Sequence, residues 1–212
     1  PTDNAIQCGC VGSLHVKVTI TGKAAHSARP WHGENALYKA IPLLQIMANQ
    51  QPNPVTIKGL TFTDVMTITE AEVTQGRTTI PETFTCNINI RFSPDKTSDT
   101  VMNNFQHIID SLDIPDIHVE LMDSVPAGKI ISTPFVDTLI DQLNIKVEAK
   151  QAWTDVAQLT AAGIPAFNFG PGQQTQAHKP NEYVDLTLCE DYYRHLKKCL
   201  TTWSGGLVRS VD

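Results

Sequence analysis

The order of hydrophobic patterns between residues 11 and 123 constrains the fold more than any other feature of this sequence. An apolar side chain at every second position predicts a strand, and one at every third or fourth position predicts an amphipathic helix. The patterns follow the order strand, helix, strand, strand, helix, strand, at residues 12–22, 35–50, 61–73, 83–92, 97–112 and 117–122. Because this is the order of the split βαβ, ferredoxin-like motif, we expect residues 11–123 to form one α+β domain of that class.

Two residues predict how the helices of this domain begin. Pro42 lies inside the first helical pattern. Since proline lacks a backbone N–H, we expect a kink or a late helix start at this position. Thr97 directly precedes the second helical pattern. Its hydroxyl can accept a hydrogen bond from the first turn, which makes Thr97 the expected N-cap.

The rest of the chain alternates helices with short strands. Thr133 and Pro134 open one helix, and Thr187 with Glu190 forms a capping box for the last one. A strand, a helix and a second strand lie between them, near residues 145–150, 155–162 and 165–169. This alternation predicts an α/β arrangement, in which helices cover a parallel or mixed sheet. Because the strands are short and few, we expect this sheet to need partner strands from elsewhere.

Composition excludes several classes of function. The chain has 41% hydrophobic and 18% charged residues, and its net charge of −6 includes no basic run. We therefore expect a soluble globular protein without a nucleic-acid partner. No apolar run reaches the roughly 18 residues that predict a membrane-spanning helix, so we expect no membrane association. Five cysteines are too few for a disulfide framework, which favours a reducing compartment such as the cytoplasm.

The stretch A-A-H-S-A-R-P-W-H-G-E-N-A at residues 24–36 follows the first strand and concentrates polar side chains. His26 could donate a hydrogen bond to a developing oxyanion, or it could stabilise a turn through a backbone contact. Arg29 could bind a substrate carboxylate. Residue chemistry alone does not decide between these roles.

Three further features have both a chemical and a structural interpretation. Arg91 could bind a carboxylate, or it could lie solvated on the outer face of its strand. His178 could ligate a metal, although a zinc site needs three or four ligands and none is adjacent. The sequence C-G-C at residues 8–10 could begin a metal site, but no second Cys/His pair follows at zinc-finger spacing, which favours buried thiols.

Four sequence blocks together resemble one enzyme family. They are G-K-A-A-H-S-A-R-P-W-H-G-E-N-A, then T-I-P with I-N-I-R-F-S-P-D, then T-D-V-A-Q-L-T-A-A-G-I-P-A-F-N-F-G-P-G, and last A-H-K-P-N-E-Y-V. In this order and spacing they are similar to the zinc-dependent metallopeptidases and deacylases. That family contains succinyl-diaminopimelate desuccinylase, acetylornithine deacetylase, aminoacylase and carboxypeptidase G.

The resemblance implies a catalytic α/β domain that holds two zinc ions and is interrupted by a ferredoxin-like lid domain, which commonly forms a homodimer. We expect residues 1–10 to end the first catalytic segment, 11–123 to form the lid, and 124–212 to form the C-terminal part of the catalytic domain. Cobalt or manganese are the alternative metals. Only His178 matches a zinc ligand of the family, and the resemblance places the others before residue 1. The chain alone is therefore expected to be inactive.

The resemblance also implies roles for individual residues. His26 matches the lid histidine that stabilises the tetrahedral oxyanion in the other subunit's site. Asn35 and Arg91 match lid positions associated with the substrate carboxylate. Gly170 and Gly172 match a loop that lines the same pocket.

Two blocks depart from the family's pattern. Thr78 stands where the family often has the asparagine of Asn-Val-Ile-Pro, and Thr154 with Asp155 stands where it often has Ser-Asp after Gly-(Thr/Ser). Because the family's substrate-binding residues differ at these positions, the family pattern does not determine which substrate this chain binds. The block around residues 24–36 resembles the desuccinylases most, so the expected small-molecule substrate is N-succinyl-diaminopimelate. The alternatives are acetylornithine deacetylase, a small-peptide carboxypeptidase and, in a different class, a non-catalytic dimerisation or binding module.

Overall fold

The computed structural model describes residues 1–74, 76–176 and 179–203. The strands are β1 (Ile6–Cys8), β2 (Gly12–Thr21), β3 (Asn53–Ile57), β4 (Leu60–Val73), β5 (Thr83–Phe92), β6 (Ile117–Val125), β7 (Val147–Ala149) and β8 (Phe167–Asn168). The helices are α1 (Ala36–Lys39), α2 (Ile41–Ala48), α3 (Ser98–Asp110), α4 (Pro134–Leu143), α5 (Val156–Ala161) and α6 (Leu186–Trp203). The chain divides into a larger unit, residues 11–127 with 151–153, and a smaller unit, residues 1–10, 128–150 and 154 onward.

The larger unit is built on an antiparallel sheet with the strand order β3-β4-β5-β2-β6. Four of these strands and the helices between them follow the predicted order, which confirms the ferredoxin-like class. The hydrophobic pattern does not predict the fifth strand, β3, because this strand is mostly exposed and contains Pro54. It pairs with β4 at the edge of the sheet, where a proline is tolerated.

Side-chain alternation along β2 sets the position of the core. The apolar residues of β2 are fully buried, and they form one cluster with residues of β5, α2 and α3. The largest contributors to this cluster include Leu14, Ile20, Leu43, Phe84, Ile88 and Phe105. The intervening residues of β2, among them Ser13, His15 and Lys17, point to the opposite face of the sheet. The sheet therefore has one apolar face and one polar face.

The helix expected over residues 35–50 is interrupted at the place that Pro42 indicates. Helices α1 and α2 meet at Ala40, and Pro42 lies in the first turn of α2. A proline in a first turn costs no helical hydrogen bond, because the N–H at that position has no partner within the helix. Thr97 caps α3 as predicted, and its Oγ1 accepts a hydrogen bond from the Thr100 N–H over 3.2 Å.

The smaller unit contains a mixed sheet in the order β7-β1-β8. Strand β1 pairs with β7 in parallel and with β8 in antiparallel orientation, so residues 6–8 supply the central strand. This mixed sheet with its helices confirms the predicted α/β arrangement. Thr133 caps α4 as predicted, and Pro134 is in the first turn.

The predicted capping box of the last helix is wrong. Helix α6 begins at Leu186, before Thr187, and the Asp185 carboxylate provides the cap. It accepts hydrogen bonds from the Thr187 N–H at 2.9 Å and from the Thr187 hydroxyl at 2.8 Å. These two bonds lower the pKa of the Asp185 carboxyl. In the described part of the chain, neither α6 nor any other helix is long and apolar enough to cross a bilayer.

Truncation of Phe105 tests the packing of α3 on the sheet. Phe105 is 2% exposed, whereas Asn103 on the same helix faces solvent. Phe105→Ala leaves a cavity, so we expect urea titration to show the free energy of unfolding reduced by about 3–5 kcal/mol. Asn103→Ala removes no buried atoms and should change it by less than about 0.5 kcal/mol. Equal effects of the two substitutions would contradict the assigned core.

Candidate functional site

Residues 22–36, which we call the His26 loop, are closed at their base by two backbone hydrogen bonds. The Lys23 N–H donates to the Glu34 carbonyl at 2.8 Å, and the Glu34 N–H donates to the Lys23 carbonyl at 2.9 Å. Two glycines permit this approach. A Cβ at Gly22 would lie 2.2 Å from the Glu34 oxygen, and one at Gly33 would lie 2.7 Å from the Lys23 oxygen. The glycines of this block therefore shape the loop.

A second segment, around Thr78, holds the His26 loop from the side. The Thr78 carbonyl accepts a hydrogen bond from the Ser27 N–H at 2.8 Å. His26 and Thr79 face each other in an antiparallel bridge beyond the ends of β2 and β5. Thr78 thus contributes through its backbone, while its side chain is exposed. The A-A-H-S and T-T-I-P blocks are two parts of one structure.

The loop also fixes the tautomer of the exposed His26 ring. The Nδ1 atom accepts a hydrogen bond from the Ala28 N–H at 3.0 Å. An accepting Nδ1 leaves the proton of the neutral ring on Nε2. His26 can therefore donate an N–H to an anionic oxygen. Arg29 closes the same turn, with its N–H 2.8 Å from the His26 carbonyl, and its side chain is exposed.

Asn35 has a structural role in addition to its predicted part in substrate binding. Its Oδ1 caps α1 by accepting hydrogen bonds from the N–H groups of Leu37, at 3.0 Å, and Tyr38, at 3.4 Å. The side-chain NH2 remains as the group that could donate to a carboxylate. The sequence contains the signal for this cap, because asparagine directly before a helical pattern is a common N-cap.

Arg91 lies at the opposite end of the sheet from the His26 loop. In the β2-β5 pair, Arg91 faces Ser13, whereas Thr83 faces Thr21, the residue that precedes the loop. The eight steps from Ser13 to Thr21 span about 26 Å at about 3.3 Å per step. A single copy of the larger unit therefore does not bring Arg91 and His26 together.

A polar cluster surrounds Arg91 on the open face of the sheet. The Arg91 Nε donates to Asn89 Oδ1 at 2.9 Å, and Asn89 Nδ2 lies 3.0 Å from Ser13 Oγ. The two ring nitrogens of His15 lie 3.1 Å from Asn89 Nδ2 and 3.1 Å from Asn87 Nδ2. Arg91 is a candidate binding residue from the sequence, whereas Asn89 is recognised only from these contacts. The corresponding sequence signal is the alternation N-I-N-I-R, which places both asparagines and the arginine on one face of β5.

In the smaller unit, Thr154 and Asp155 lie at the start of α5. The Thr154 carbonyl accepts a hydrogen bond from the Ala157 N–H at 3.0 Å. Its Oγ1 accepts one from Asn168 Nδ2 at 3.2 Å, which joins the helix start to β8. Asp155 makes no side-chain cap, and its carboxylate is exposed. Of the two, Asp155 is the one whose side chain faces solvent.

Gly170 and Gly172 are held by the first residues of the chain. The Gly170 carbonyl accepts hydrogen bonds from the Asn4 N–H at 3.1 Å and from the buried Thr2 hydroxyl at 3.0 Å. Gly172 has a φ of +90°, a conformation that glycine adopts without strain, and its carbonyl accepts from the Asp3 N–H at 3.0 Å. Both glycines therefore hold the first residues of the chain through their backbone carbonyls. His178, the predicted zinc ligand, lies outside the described residues.

The described residues do not assemble a metal centre. Within 1–74, 76–176 and 179–203, no three or more His, Cys, Asp and Glu side chains are grouped so that they could hold a metal ion. Cys8 and Cys10 are both buried thiols, and burial raises the pKa of Cys8. The Cys10 Sγ lies 3.7 Å from the Thr154 carbonyl oxygen.

The sequence and the fold are similar to those of known proteins. The sequence model of one protein family, the peptidase dimerisation domain, matches residues 9–116 of this chain. A Mycobacterium tuberculosis protein named as a succinyl-diaminopimelate desuccinylase is 36% identical over 188 residues, which cover 88% of this chain and 52% of that protein. The succinyl-diaminopimelate desuccinylase of Corynebacterium glutamicum is 32% identical over 209 residues, with coverages of 95% and 55%. The chain thus spans about half the length of these relatives.

Solved structures share the fold. The crystal structure of a tripeptidase from Staphylococcus aureus superposes with a TM-score of 0.75 at 15% sequence identity. The match covers 95% of this chain and 55% of the tripeptidase. At this identity the similarity shows the fold alone.

Gly22→Ala tests the closure of the His26 loop. The new methyl group would collide with the Glu34 carbonyl, so we expect the two Lys23–Glu34 hydrogen bonds to weaken. In a hydrogen-exchange experiment, the protection factor of the Glu34 N–H should then fall at least about tenfold. Ser27→Ala is the control, because the bond that Ser27 makes to Thr78 uses its backbone N–H. Unchanged protection in Gly22→Ala would contradict the described closure.

Proposed function

The chain belongs to the M20 peptidase family, whose dimerisation domain it contains, and we propose that it acts in the hydrolysis of N-acyl amino acid amides. The proposed substrate is N-succinyl-diaminopimelate. The names of the two relatives at 36% and 32% identity support this choice. We further propose that residues 11–123 are the lid and dimerisation domain, and that 1–10 and 124–212 belong to the catalytic domain.

The observation that carries the proposal is the geometry of His26. In amide hydrolysis, water adds to the carbonyl carbon, the carbonyl oxygen becomes an oxyanion, and the C–N bond then breaks as the amine leaves with a proton. An N–H donor that is already oriented stabilises the oxyanion most effectively. His26 meets this requirement, because the bond from the Ala28 N–H to Nδ1 leaves Nε2–H exposed and available.

A homodimer would explain how His26 and Arg91 serve the same substrate. Arg91 lies at one end of the β2-β5 ladder and His26 lies beyond the other, and the span of the ladder from Ser13 to Thr21 is about 26 Å. Two copies related by a two-fold axis can bring the His26 loop of one subunit to the Arg91 end of the other. We therefore propose that His26 acts in the partner subunit's site.

The cationic and amide donors of the larger unit support the proposed substrate class. Arg91, Arg29 and the side-chain NH2 of Asn35 can donate to a carboxylate. Acetylornithine deacetylation and the removal of C-terminal residues from small peptides are the alternative reactions, because those substrates also carry a carboxylate beside an acyl amide. The remaining predicted substrate-binding residues stay predictions: Thr78, Thr154, Asp155, Gly170 and Gly172.

The proposed cofactor is zinc, with cobalt and manganese as alternatives, and His178 is its proposed ligand in this chain. When bound, zinc supplies an activated water, whose pKa falls to about 7. We propose the cytoplasm as the location, which is supported by the five free cysteines.

A non-catalytic dimerisation or binding module is the second candidate. It is favoured by the structural use of Asn35, which caps α1, and of Gly170, whose carbonyl holds the first residues of the chain. An assay of the intact protein with N-succinyl-diaminopimelate, N-acetylornithine and a dipeptide distinguishes the two. Hydrolysis of any of them excludes the module, and hydrolysis of none favours it.

His26→Ala is the direct test of the oxyanion role. In the intact enzyme we expect kcat to fall by about 100- to 1000-fold, because an oxyanion donor acts in the transition state. The measurement is the release of diaminopimelate from N-succinyl-diaminopimelate. His32→Ala is the matched control, since His32 is exposed in the same loop and should retain its kcat. Near-normal turnover of His26→Ala would refute the assigned role.

Mixing two impaired variants, assayed at a substrate concentration well below the KM of Arg91→Ala, tests whether His26 acts across the dimer. After subunit exchange between His26→Ala and Arg91→Ala, half of the dimers are mixed, and one of the two sites in each combines a native Arg91 with a native His26. We therefore expect recovery of about one quarter of wild-type activity. Each variant exchanged with itself is the control. If both residues act within one subunit, the mixture stays as impaired as its components.

A further inference from the structure

Asn89 connects the Arg91 guanidinium to the backbone of the neighbouring strand. Its side chain is 7% exposed, and both ends of its amide have partners that fix its orientation. Nδ2 lies 3.0 Å from the Leu14 carbonyl oxygen, which can only accept a hydrogen bond. Oδ1 lies 2.9 Å from Arg91 Nε, which can only donate one. A flip of the amide would break both bonds.

This contact restricts the plane of the guanidinium. A bond at Nε leaves one N–H of each terminal nitrogen as a side-by-side pair that is directed away from Asn89. Among the described residues, no carboxylate forms an ion pair with Arg91. Paired terminal donors without an internal counter-ion suit a carboxylate that binds in bidentate geometry.

We propose that Asn89 is a positioning residue that holds Arg91 in the orientation required to bind the substrate carboxylate. The inference rests on the proposed function, in which Arg91 binds that carboxylate. It adds a residue that acts through Arg91 without touching the substrate. Asn89 therefore affects substrate affinity, while His26 affects turnover.

Asn87 provides a matched control on the same strand. It lies two residues before Asn89 and on the same face of β5. Its Nδ2 lies 3.1 Å from His15 Nδ1 and 2.5 Å from Thr69 Oγ1. It is the same residue type within the same polar cluster, but its contacts are to these residues and not to the guanidinium.

Steady-state kinetics of the intact enzyme on N-succinyl-diaminopimelate test the proposal. Asn89→Ala should raise KM about tenfold, the effect of losing one hydrogen bond to a charged group, with kcat within about twofold. Asn87→Ala should change neither parameter. In the Arg91→Ala background, Asn89→Ala should have no further effect on KM, because the two residues act as one unit.

A second variant and a spectroscopic measurement cover the case in which Asn89→Ala does not fold. Asn89→Asp keeps the acceptor for Arg91 Nε but adds a negative charge that competes with the substrate, so KM should again rise. In 15N-resolved NMR spectra, the Arg91 Nε–H should exchange slowly with solvent in the wild type and in Asn87→Ala. It should exchange at least about tenfold faster in Asn89→Ala.

The outcomes separate this inference from the proposed function. An unchanged KM in Asn89→Ala, or an equal further increase in the Arg91→Ala background, would overturn the positioning role and leave the proposed function standing. A wild-type enzyme that hydrolyses none of N-succinyl-diaminopimelate, N-acetylornithine and a dipeptide would overturn the proposed function, and the positioning role with it.

Discussion

The pairing of β2 with β5 is the interaction on which the rest of the larger unit depends. Their ladder runs without a break from Gly12 opposite Phe92 to Thr21 opposite Thr83. A shift of one residue would turn the buried row of β2 to the polar face and bring the polar row into the core. The glycine at the start of the ladder fits the same register, because a Cβ on Gly12 would lie 2.2 Å from the Phe92 ring.

The two ends of this ladder have different chemical characters. Beyond Thr21, the backbone continues into the His26 loop, which presents an N–H donor on an exposed ring. At the Ser13 end, a buried amide cluster leads to the Arg91 guanidinium. The rigidity of the strands keeps the two ends apart. In the proposed function, a substrate that contacts both Arg91 and His26 therefore requires two copies of the fold.

Several residues of the sequence motifs shape loops in addition to any contact with a ligand. Asn35 caps α1 with its side-chain oxygen, and Thr78 holds the His26 loop with its carbonyl. Gly170 binds the first residues of the chain through its own carbonyl. A motif combines residues that perform chemistry with residues that position them, and residue type alone does not separate the two groups. Atomic contacts separate the two groups, and the contact between Asn89 and Arg91 is the basis for proposing Asn89 as a positioning residue.

The sequence by itself determined the elements that depend on neighbouring residues. Apolar spacing located the helices and four of the five strands of the ferredoxin-like unit, Pro42 marked the break before α2, and Thr97 marked the start of α3. Local signals were insufficient for α6, where Asp185 provides the cap in place of the expected threonine. Only the tertiary structure decided which loops meet, as Thr78 meets Ser27. The physical reason is that sheet register pairs residues that are far apart in the chain, and no local pattern encodes such a pair.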